Sequence, residues 1–403
     1  MTMAADKQDK VLNVPNLRFP EFKGEWNDTR LKDLCKFLSG GTPSIDNVEY
    51  WEGDIPFVSA IAMHDTHIEK TPLHLTEKGV SNGSKQLKAG NLLLLVRGSM
   101  LWNKIPICYN DVDVAFNQDV KGIIPNSNTT SLFLLNWIQS HENKIKYMVT
   151  GTGIGAGKLD SEDLLALNVK LPSLNEQKKI EKFLSLIDER ITTQIRIIDK
   201  LKSLISGITQ RTSKHSSVKM IMLSDILTER NEKNASLFPV YSVSVSEGVV
   251  NQIEYLGRSF AATNTTHYNV AHWGDIIYTK SPTGDFPFGI VKRSSVKTNV
   301  AVSPLYGVYQ PISNDVAVYL HFYFCSPLNA QNYLHKLIQK GAKNTINITN
   351  QRFLENSVPI PDNKALTTFV KVINAVSAKL ESESRLLNAL QKQKAYLMQE
   401  MFI

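Results

Sequence analysis

The stretch GTGIGAGKL, residues 151–159, has the glycine-rich composition of a loop that holds a phosphate. A Walker A loop needs a glycine, four residues and then Gly-Lys-Ser/Thr, because the last hydroxyl binds magnesium. Five residues before Gly157 stands Thr152 instead of glycine, and Lys158 is followed by leucine. A dinucleotide-binding fingerprint is incomplete as well, because Ala156 stands where its third glycine is needed. The spacing argues against a nucleotide site and leaves two interpretations open: a flexible turn, or backbone that closely approaches a large anionic surface.

Two other candidate motifs lack residues that their chemistry requires. His64 and His67 lie three apart, but no cysteine or further histidine clusters near them, so we expect polar surface side chains rather than metal ligands. DFPF, residues 285–288, is similar to the Asp/Asn-Pro-Pro-aromatic motif of amino-methyltransferases, but Phe286 replaces its first proline and no glycine-rich cofactor site precedes it. We predict a turn there. No Ser/His/Asp or Cys/His set stands out, which weighs against catalysis.

The composition favours a soluble protein with an anionic partner. The chain has 403 residues, 42% of them hydrophobic and 21% charged, and its net charge of +7 suggests nucleic acid. Three cysteines (Cys35, Cys108 and Cys325) lie far apart in apolar runs, which argues against disulfides and favours a reducing cytosol. The first twenty residues lack an apolar signal segment, and the apolar run 92–96 is too short to span a bilayer. We therefore expect a cytoplasmic protein.

Two segments have the heptad pattern of long helices. Residues 175–211 contain no proline and only one glycine, and apolar side chains recur seven apart in two series, as at the a and d positions of a coiled coil. Adding 189 to these numbers reproduces the pattern near the carboxyl end, which indicates an internal repeat. The predicted helix–helix spacer residues are Leu184, Ile187, Ile191, Gln194, Ile198, Leu201, Ile205, Ile373, Val376, Leu380, Glu383, Leu387 and Leu390.

The repeat predicts how the two helices meet. Gln194 and Glu383 are the equivalent polar interruptions of the heptad seam, so the pseudo-symmetry of the repeat should bring them together, where a polar pair could set the register. Side chains more than about two helical turns apart would refute this.

The blocks that precede the helices repeat more loosely. TRLKDLC resembles IMLSDIL, AGNLLLLVRGS resembles HWGDIIYTKS, and VAFNQDVKGIIP resembles VAVSPLYGVYQP. Short β-rich runs separated by turn residues predict an α+β fold with two mixed α/β domains in an internal repeat, each followed by a long coiled-coil helix. The glycine loop falls on residues 340–350 of the second half, so we interpret it as the turn that leads each domain into its helix.

Candidate DNA contacts come from basic and amide side chains in both blocks. Arg97 and Lys280 are the most informative, since each follows an apolar strand at an equivalent position of the repeat. Clusters such as FNQD and KNTINITN can supply amides that recognise adenine edges, although the same residues are common turn formers. The predicted DNA-binding residues are Arg97, Ser99, Lys104, Asn117, Gln118, Thr152, Lys158, Lys280, Ser281, Lys292, Arg293, Lys343 and Asn344.

With these patterns in place, the chain resembles the specificity subunit of type I restriction–modification enzymes. PNLRFPEFKGEWNDTRLKDL is similar to the family's amino-terminal opening, and LSGGTPSIDNVEYWEGDIPFVS resembles part of its target recognition domains. LPSLNEQKKIEKFLSLID resembles the Pro…Glu-Gln-x-x-Ile start of its spacer helix. The second half departs from this pattern, because Ala365 and Leu366 stand where Glu176 and Gln177 should recur.

The resemblance implies a DNA-reading scaffold with two target recognition domains in a pseudo-twofold repeat, residues 1–172 and 214–360. Two long antiparallel coiled-coil spacer helices, residues 173–213 and 361–403, would separate these domains. Each domain would read one half of a bipartite double-stranded target. A helix over residues 175–211 would be about 55 Å long, more than the roughly 34 Å of one DNA turn. The implied partners are two modification (methyltransferase) subunits and restriction/translocase subunits. Those subunits, rather than this chain, would use S-adenosylmethionine, ATP and magnesium, and no membrane partner is implied.

Two alternatives belong to other classes of function. One is a stand-alone adenine methyltransferase or NTPase built around the glycine loop, which would bind S-adenosylmethionine or ATP when purified alone. The other is a coiled-coil scaffold that does not bind DNA and would give no sequence-specific protection.

Overall fold

The computed structural model describes residues 13–153, 155–258, 261–340 and 346–403. The chain divides into a first unit, residues 1–193 and 387–403, and a second unit, residues 194–386. Two long helices, α5 (Leu174–Ser213) and α11 (Asn363–Met401), each contribute to both units. The predicted limits of the recognition domains and spacers stay a prediction. Among the described residues, no helix combines the length and hydrophobicity that a membrane crossing requires.

The first unit combines a five-stranded and a four-stranded sheet with short helices. The five-stranded order is β2-β11-β7-β9-β4, the four-stranded order is β5-β3-β10-β6, and β12-β13-β8 and β1-β14 form smaller sheets. Its strands are β1 Asn27–Arg30, β2 Cys35–Ser39, β3 Trp51–Val58, β4 His67–Ile68, β5 Leu73–Leu75, β6 Lys85–Leu87, β7 Leu92–Leu95, β8 Arg97–Gly98, β9 Ile107–Asn110, β10 Val114–Phe116, β11 Val120–Pro125, β12 Thr150–Gly151, β13 Gly157–Lys158 and β14 Asn168–Leu171. Its short helices are α1 Glu77–Gly83, α2 Ser131–Ser140, α3 Glu142–Lys146 and α4 Ser161–Leu165.

The main core of the first unit lies around β7. All four leucines of this strand are buried, as expected for a strand that is covered on both faces. Helix α2 begins where the Thr130 hydroxyl accepts a hydrogen bond from the Phe133 amide, and its Trp137 is fully buried. The last turns of α11 complete this core with Leu397 and Met401. The buried leucines thus hold β7 in the core, and the candidate site begins at the end of this strand.

An amino-terminal segment, residues 13–26, is attached to the start of α5. Arg18 donates two hydrogen bonds, of 2.7 and 2.8 Å, to the carboxylate of Glu176, which is only 2% exposed and also accepts from the Trp26 indole. Gln177, next along the helix, accepts from the Thr130 amide through its side-chain oxygen. The Glu-Gln pair therefore holds the segment and the start of α2 against α5. In the second unit, Leu366 fills the position of Gln177 and packs in an apolar core.

Glu181, one turn further along α5, gives the first unit a pH-dependent stability. Burial raises the pKa of this carboxyl to about 7, although it accepts from the Phe133 amide at 2.9 Å. The folded state thus holds the proton more tightly than the unfolded chain. The stabilisation from Glu181 is complete below about pH 4.5 and is lost as the pH rises through about 7.

Glu181→Gln keeps an acceptor for the Phe133 amide and carries no charge. We expect it to stabilise the protein by about 1 kcal/mol at pH 8, after allowance for partial solvent screening, and to change little at pH 5. Urea unfolding at both pH values measures the difference. An equal gain at the two pH values would contradict the assignment.

The second unit has the same kinds of element around an aromatic core. Its main sheet has the order β16-β23-β20-β21, and β15-β26, β17-β18, β19-β22 and β24-β25 form pairs. The Phe353 ring stacks on Tyr278 and Tyr309, with centroids 4.7 and 4.9 Å apart. The strands are β15 Lys219–Met222, β16 Leu227–Glu229, β17 Tyr241–Ser244, β18 Gly248–Asn251, β19 Asn269–Ala271, β20 Ile276–Thr279, β21 Ile290–Arg293, β22 Val300–Val302, β23 Gly307–Pro311, β24 Gln339–Lys340, β25 Ile346–Asn347 and β26 Ser357–Ile360. The short helices are α6 Leu223–Ile226, α7 Gln252–Leu256, α8 Asn314–Phe324, α9 Pro327–His335 and α10 Asn350–Phe353.

Strand pairing confirms the internal repeat. Strand β7 pairs with β11 so that Leu92 opposes Ile123, and β20 pairs with β23 so that Ile276 opposes Tyr309. These are the partners that the aligned sequence stretches predict. Strands β14 and β26 begin 189 residues apart, as do α5 and α11. The turn predicted at DFPF is also present, since Thr283 and Phe286 exchange backbone hydrogen bonds.

Within each unit the long helices run antiparallel. In the first unit, Lys394 of α11 forms an ion pair with Asp188 of α5, at 2.6 Å. In the second unit, the Gln194 amide donates to the Glu383 backbone oxygen at 3.1 Å and to its carboxylate, which confirms the predicted polar pair. All the predicted spacer residues are buried or half-buried: Leu184, Ile187, Ile191, Gln194, Ile198, Leu201, Ile205, Ile373, Val376, Leu380, Glu383, Leu387 and Leu390.

The Gln194–Glu383 pair is expected to specify register more than stability. Lys379 and Gln194 hold the pKa of the Glu383 carboxyl below its usual range. Gln194→Leu alone should lower the thermal midpoint by about 2–4 °C, because the carboxylate loses a donor in the seam. Gln194→Leu combined with Glu383→Leu should recover the wild-type midpoint, since apolar pairs suit a and d positions. Calorimetry of both variants decides this, and additive losses in the double variant would refute it.

Candidate nucleic-acid interface

One edge of the five-stranded sheet gathers several of the predicted DNA-binding residues. Strand β7 ends where β11 begins, because Leu95 opposes Val120. Just beyond this pair, the Val96 and Arg97 amides both donate to the Asp119 backbone oxygen, at 2.8 and 3.3 Å. The ladder therefore brings Arg97 beside the turn that contains Asn117 and Gln118.

Strand β8 then extends this edge through a small three-stranded sheet. Arg97 of β8 pairs directly with Lys158 of β13, and Gly98 pairs with Gly157. Side chains at directly opposed positions of antiparallel strands lie about 5 Å apart, and like charges there are destabilising. Lys158 lies 3.4 Å from the Asp160 carboxylate, while no carboxylate of the described residues lies within ion-pair distance of the Arg97 guanidinium. An anion bound at this edge would relieve the repulsion.

The polar residues around the two cations widen the candidate surface. Ser99 begins a 3-10 helix, Ser99–Trp102, and the Lys104 amide donates back to the Met100 backbone oxygen. Asn117 accepts from the Asp119 amide through its side-chain oxygen, and the exposed Gln118 accepts from the Thr42 hydroxyl at 2.8 Å. Arg97, Ser99, Lys104, Asn117, Gln118 and Lys158 are therefore held on neighbouring backbone segments.

The glycine loop is a β-hairpin. It consists of β12 and β13, and helix α4 and strand β14 separate it from α5, so the prediction that it leads directly into the spacer helix is wrong. The Thr152 hydroxyl donates to the Ala156 backbone oxygen at 2.8 Å and closes the turn. Gly155 has a φ of +80°, and a Cβ on Gly157 would lie 2.7 Å from Val149. The turn therefore favours glycine at 155, and packing favours it at 157.

Two exposed aromatic side chains near the hairpin did not stand out in the sequence. The Trp102 indole donates to the Gly155 backbone oxygen at 3.0 Å, and its ring is 47% exposed. Tyr147, three residues before β12, is 92% exposed. The sequence KIKY, with an aromatic residue beside lysines, is the signal that points to Tyr147. Such rings can stack on or pack against nucleic acid.

The second unit has counterparts of β7, β12 and β13, but among its described residues no strand pairing joins them into one edge. Strands β20 and β24–β25 match β7 and β12–β13 in register, so Lys280 and Ser281 follow β20 where Val96 and Arg97 follow β7. The predicted equivalence of Arg97 and Lys280 is therefore wrong by one residue, which turns a side chain to the other face of a strand. Lys280 is half-buried, and burial lowers its pKa. Ser281 is the exposed counterpart of Arg97.

Lys292 and Arg293, two predicted DNA-binding residues of the second half, do not lie beside Lys280. Lys292 and Arg293 lie on β21 opposite Ile277 and Ile276, at the far end of β20 from Lys280. The Lys292 ammonium is buried against the Cys325 sulfur at 3.3 Å, and Arg293 lies over the Trp273 ring, 4.6 Å from its centroid. Both cations pack within the unit. Lys343 and Asn344 lie outside the described residues.

Metal chemistry finds no support in the described part of the chain. The described residues hold no group of three or more His, Cys, Asp or Glu side chains that could bind a metal ion. His67 instead faces the carboxylate of Asp111 at 3.1 Å. All three cysteines are free, and burial raises the pKa of the Cys35 and Cys108 thiols to about 12.

The first half of the chain is similar in sequence to known proteins. Residues 23–203 match the family model for the type I restriction modification DNA specificity domain. The chain is 30% identical over 196 residues to the type I restriction enzyme EcoR124I/EcoR124II specificity subunit of Escherichia coli, covering 48% of this chain and 45% of that protein. It is 27% identical over 184 residues to the MjaIX specificity subunit of Methanocaldococcus jannaschii, covering 44% and 42%. The matched part thus spans about half the length of these relatives.

The fold extends this similarity to the whole chain. The type I restriction–modification S subunit from M. genitalium matches 97% of this chain and 99% of its own, with a TM-score of 0.59 at 15% sequence identity. A chain from a structure of the assembly and conformational transition of a type I system matches 93% and 96%, with a TM-score of 0.53 at 12% identity. The mixed α and β architecture with long helices is therefore shared with these proteins.

Proposed function

We propose that this chain, whose residues 23–203 match the family model for the type I restriction modification DNA specificity domain, is the DNA-reading subunit of a type I restriction–modification complex. Each unit would read one half of a bipartite double-stranded target. The observation that carries this proposal is the pairing of Arg97 with Lys158 on adjacent strands, beside the polar turn of Asn117 and Gln118. At DNA interfaces, positively charged side chains bind phosphates and amide side chains recognise bases. Two opposed cations beside two amide side chains fit such an interface.

Roles follow from the chemistry of each side chain. Arg97, Lys104 and Lys158 bind backbone phosphates in this proposal, with Ser99 and Thr152 as neutral donors beside them. Gln118 keeps its amide group at the exposed surface while its oxygen accepts from Thr42, and an amide donor of this kind can bind the N7 of adenine. In the second unit, Ser281 stands after β20 at the position that Arg97 has after β7, and strands β24 and β25 pair as β12 and β13 do.

The chain acts without a catalytic site of its own in this proposal. The Thr152 hydroxyl of the glycine loop donates to a backbone oxygen of the same loop. The loop lies in a hairpin, whereas nucleotide sites have a strand–loop–helix arrangement. S-adenosylmethionine, ATP and magnesium would be bound by modification and restriction subunits. The exposed flanks of the α5 and α11 seam offer a surface for two modification subunits.

Footprinting tests the proposal. The chain, reconstituted with its modification subunit, should protect two short patches of DNA that are separated by an unprotected gap, and protection should weaken steeply as salt rises. Uniform or absent protection would favour a scaffold that does not read DNA. Binding of S-adenosylmethionine or ATP by the purified chain alone would favour the enzyme alternative.

A further inference from the structure

A groove in the first unit is occupied by the chain's own amino-terminal segment. The groove lies between the start of α5 and the end of α11, and residues 13–26 fill it. The Leu17 amide donates to the Glu400 backbone oxygen at 3.0 Å, and the Asn16 amide donates to the Glu400 carboxylate at 2.9 Å. The Phe19 ring packs edge-on against Phe183, with centroids 5.7 Å apart.

The repeat gives the second unit an equivalent groove. It lies between the end of α5 and the start of α11 and encloses about 470 Å³. Ala365 and Val372 stand at the positions of Glu176 and Phe183, and Arg211 stands at that of Glu400, all 189 residues apart. The groove is lined by Ile208, Arg211, Ala365, Thr368, Phe369 and Val372, among others.

Chain connectivity explains why this second groove is open. In the first unit, residues 13–26 precede β1 and cross the groove before the strand begins. In the second unit, α5 ends at Ser213 and residues 214–218 lead directly to β15, so no counterpart of the segment exists. The side chain of Val372 is 42% exposed, whereas its counterpart Phe183 packs against Phe19.

The two grooves differ in charge at the positions of Glu176 and Glu400, and Thr368 replaces Lys179, which pairs with Glu21 at 3.2 Å in the first groove. Glu176 and Glu400 of the first groove bind Arg18 and Asn16. The second groove has an alanine and Arg211 at those positions, and Lys364 lies beside them. Its one carboxylate, Asp362, accepts from the Ala365 amide at 2.8 Å and caps α11. The open groove is thus apolar at its base and basic at its rim.

We propose that this groove binds an extended, acidic segment of a partner polypeptide, in the way that residues 13–26 occupy the first groove. An apolar side chain of the segment packs on Phe369 and Val372, as Phe19 packs on Phe183. Acidic side chains on either side of it pair with Arg211 and Lys364. The basic rim excludes a copy of the chain's own segment, because that segment carries Arg18.

Two fluorescent peptides and the full-length chain test the proposal by anisotropy. One peptide is NVPNLRFPEFKG, the sequence of residues 13–24, and the other carries glutamate in place of its arginine. The acidic peptide should bind about tenfold more tightly than the parent peptide. Arg211→Glu with Lys364→Glu should abolish that preference. The control Lys371→Glu, on the same helix outside the groove lining, should leave it unchanged.

Ala365→Glu provides the reciprocal test, because it restores the carboxylate that Glu176 supplies in the first groove. This variant should prefer the parent, arginine-containing peptide, and its thermal midpoint should show that the fold is intact. Equal affinity of the two peptides for the wild-type chain would overturn the proposal. Equal weakening by the groove variant and by Lys371→Glu would overturn it as well.

Discussion

Arg18→Met is expected to lower the free energy of unfolding of the first unit by about 3 kcal/mol, the largest stability effect that we predict for a single substitution. Arg18 supplies both guanidinium hydrogen bonds to Glu176, a carboxylate that is 2% exposed. Removing the arginine leaves this charge buried, with the Trp26 indole as its remaining side-chain donor among the described residues. The same change also releases the amino-terminal segment from α5.

Urea unfolding followed by tryptophan fluorescence measures this loss. Arg385→Met is the matched control, because Arg385 pairs with Glu381 on α11 and both side chains are at least 70% exposed. An exposed pair of this kind contributes less than about 1 kcal/mol. If the two variants lose the same stability, the Arg18–Glu176 pair does not anchor the segment.

The second large effect concerns DNA affinity. Neutralising Arg97, Lys104 and Lys158 together to glutamine should weaken DNA binding by about 100-fold near physiological salt. If each cation contacts one phosphate, the slope of log affinity against log salt should fall by about 2–3. The loss should be similar for cognate and unrelated DNA, because phosphate contacts carry no sequence information.

A control with the same change in net charge separates local contacts from general electrostatics. Lys23, Lys32 and Lys36 are exposed on the first unit, and Lys36 pairs with Ile124 at the other end of the β2–β11 ladder. Glutamine at these three positions should reduce affinity by less than about threefold. Equal losses in the two triple variants, measured by titration at several salt concentrations, would remove the hairpin edge from the interface.

The long helices and the internal repeat were predictable because their sequence patterns extend over many residues. The heptad spacing extends over about four repeats. Apolar side chains at a and d positions lie on one face of a helix, and packing of that face against another helix buries them together. The same regularity placed Gln194 opposite Glu383. The strand ladders around β7 and β20 were predictable for a related reason, since a run of apolar residues after a glycine turn identifies a buried strand.

The candidate site was predicted only in part, because its elements are short. Strands β12 and β13 have two residues each, which is too few to show a period, so the hairpin was mistaken for a connecting turn. The register of Lys280 was wrong by one position because charge alone does not reveal which face of a strand a residue occupies. The sequence predicts Lys292 as a DNA contact, but helix α8 packs over β21 and buries this lysine beside Cys325.

The role of the Glu176–Gln177 pair required the structure. The sequence shows only that the pair is absent from the second half. Its partners, Arg18 and Trp26 for Glu176 and the start of α2 for Gln177, are 47 to 158 residues away, and no local pattern predicts such contacts. The same asymmetry leaves the groove near Ala365 open.

The most direct test of the central claim is a map of methylated adenines in DNA exposed to the complex of this chain with its modification subunit. The proposed function predicts that methylation falls in one two-part consensus, with a fixed gap of unspecified bases between the halves. Neutralising Arg97, Lys104 and Lys158 should lower its extent without changing the consensus. An ungapped consensus, or methylation without sequence preference, would contradict the claim that this chain reads a bipartite DNA target.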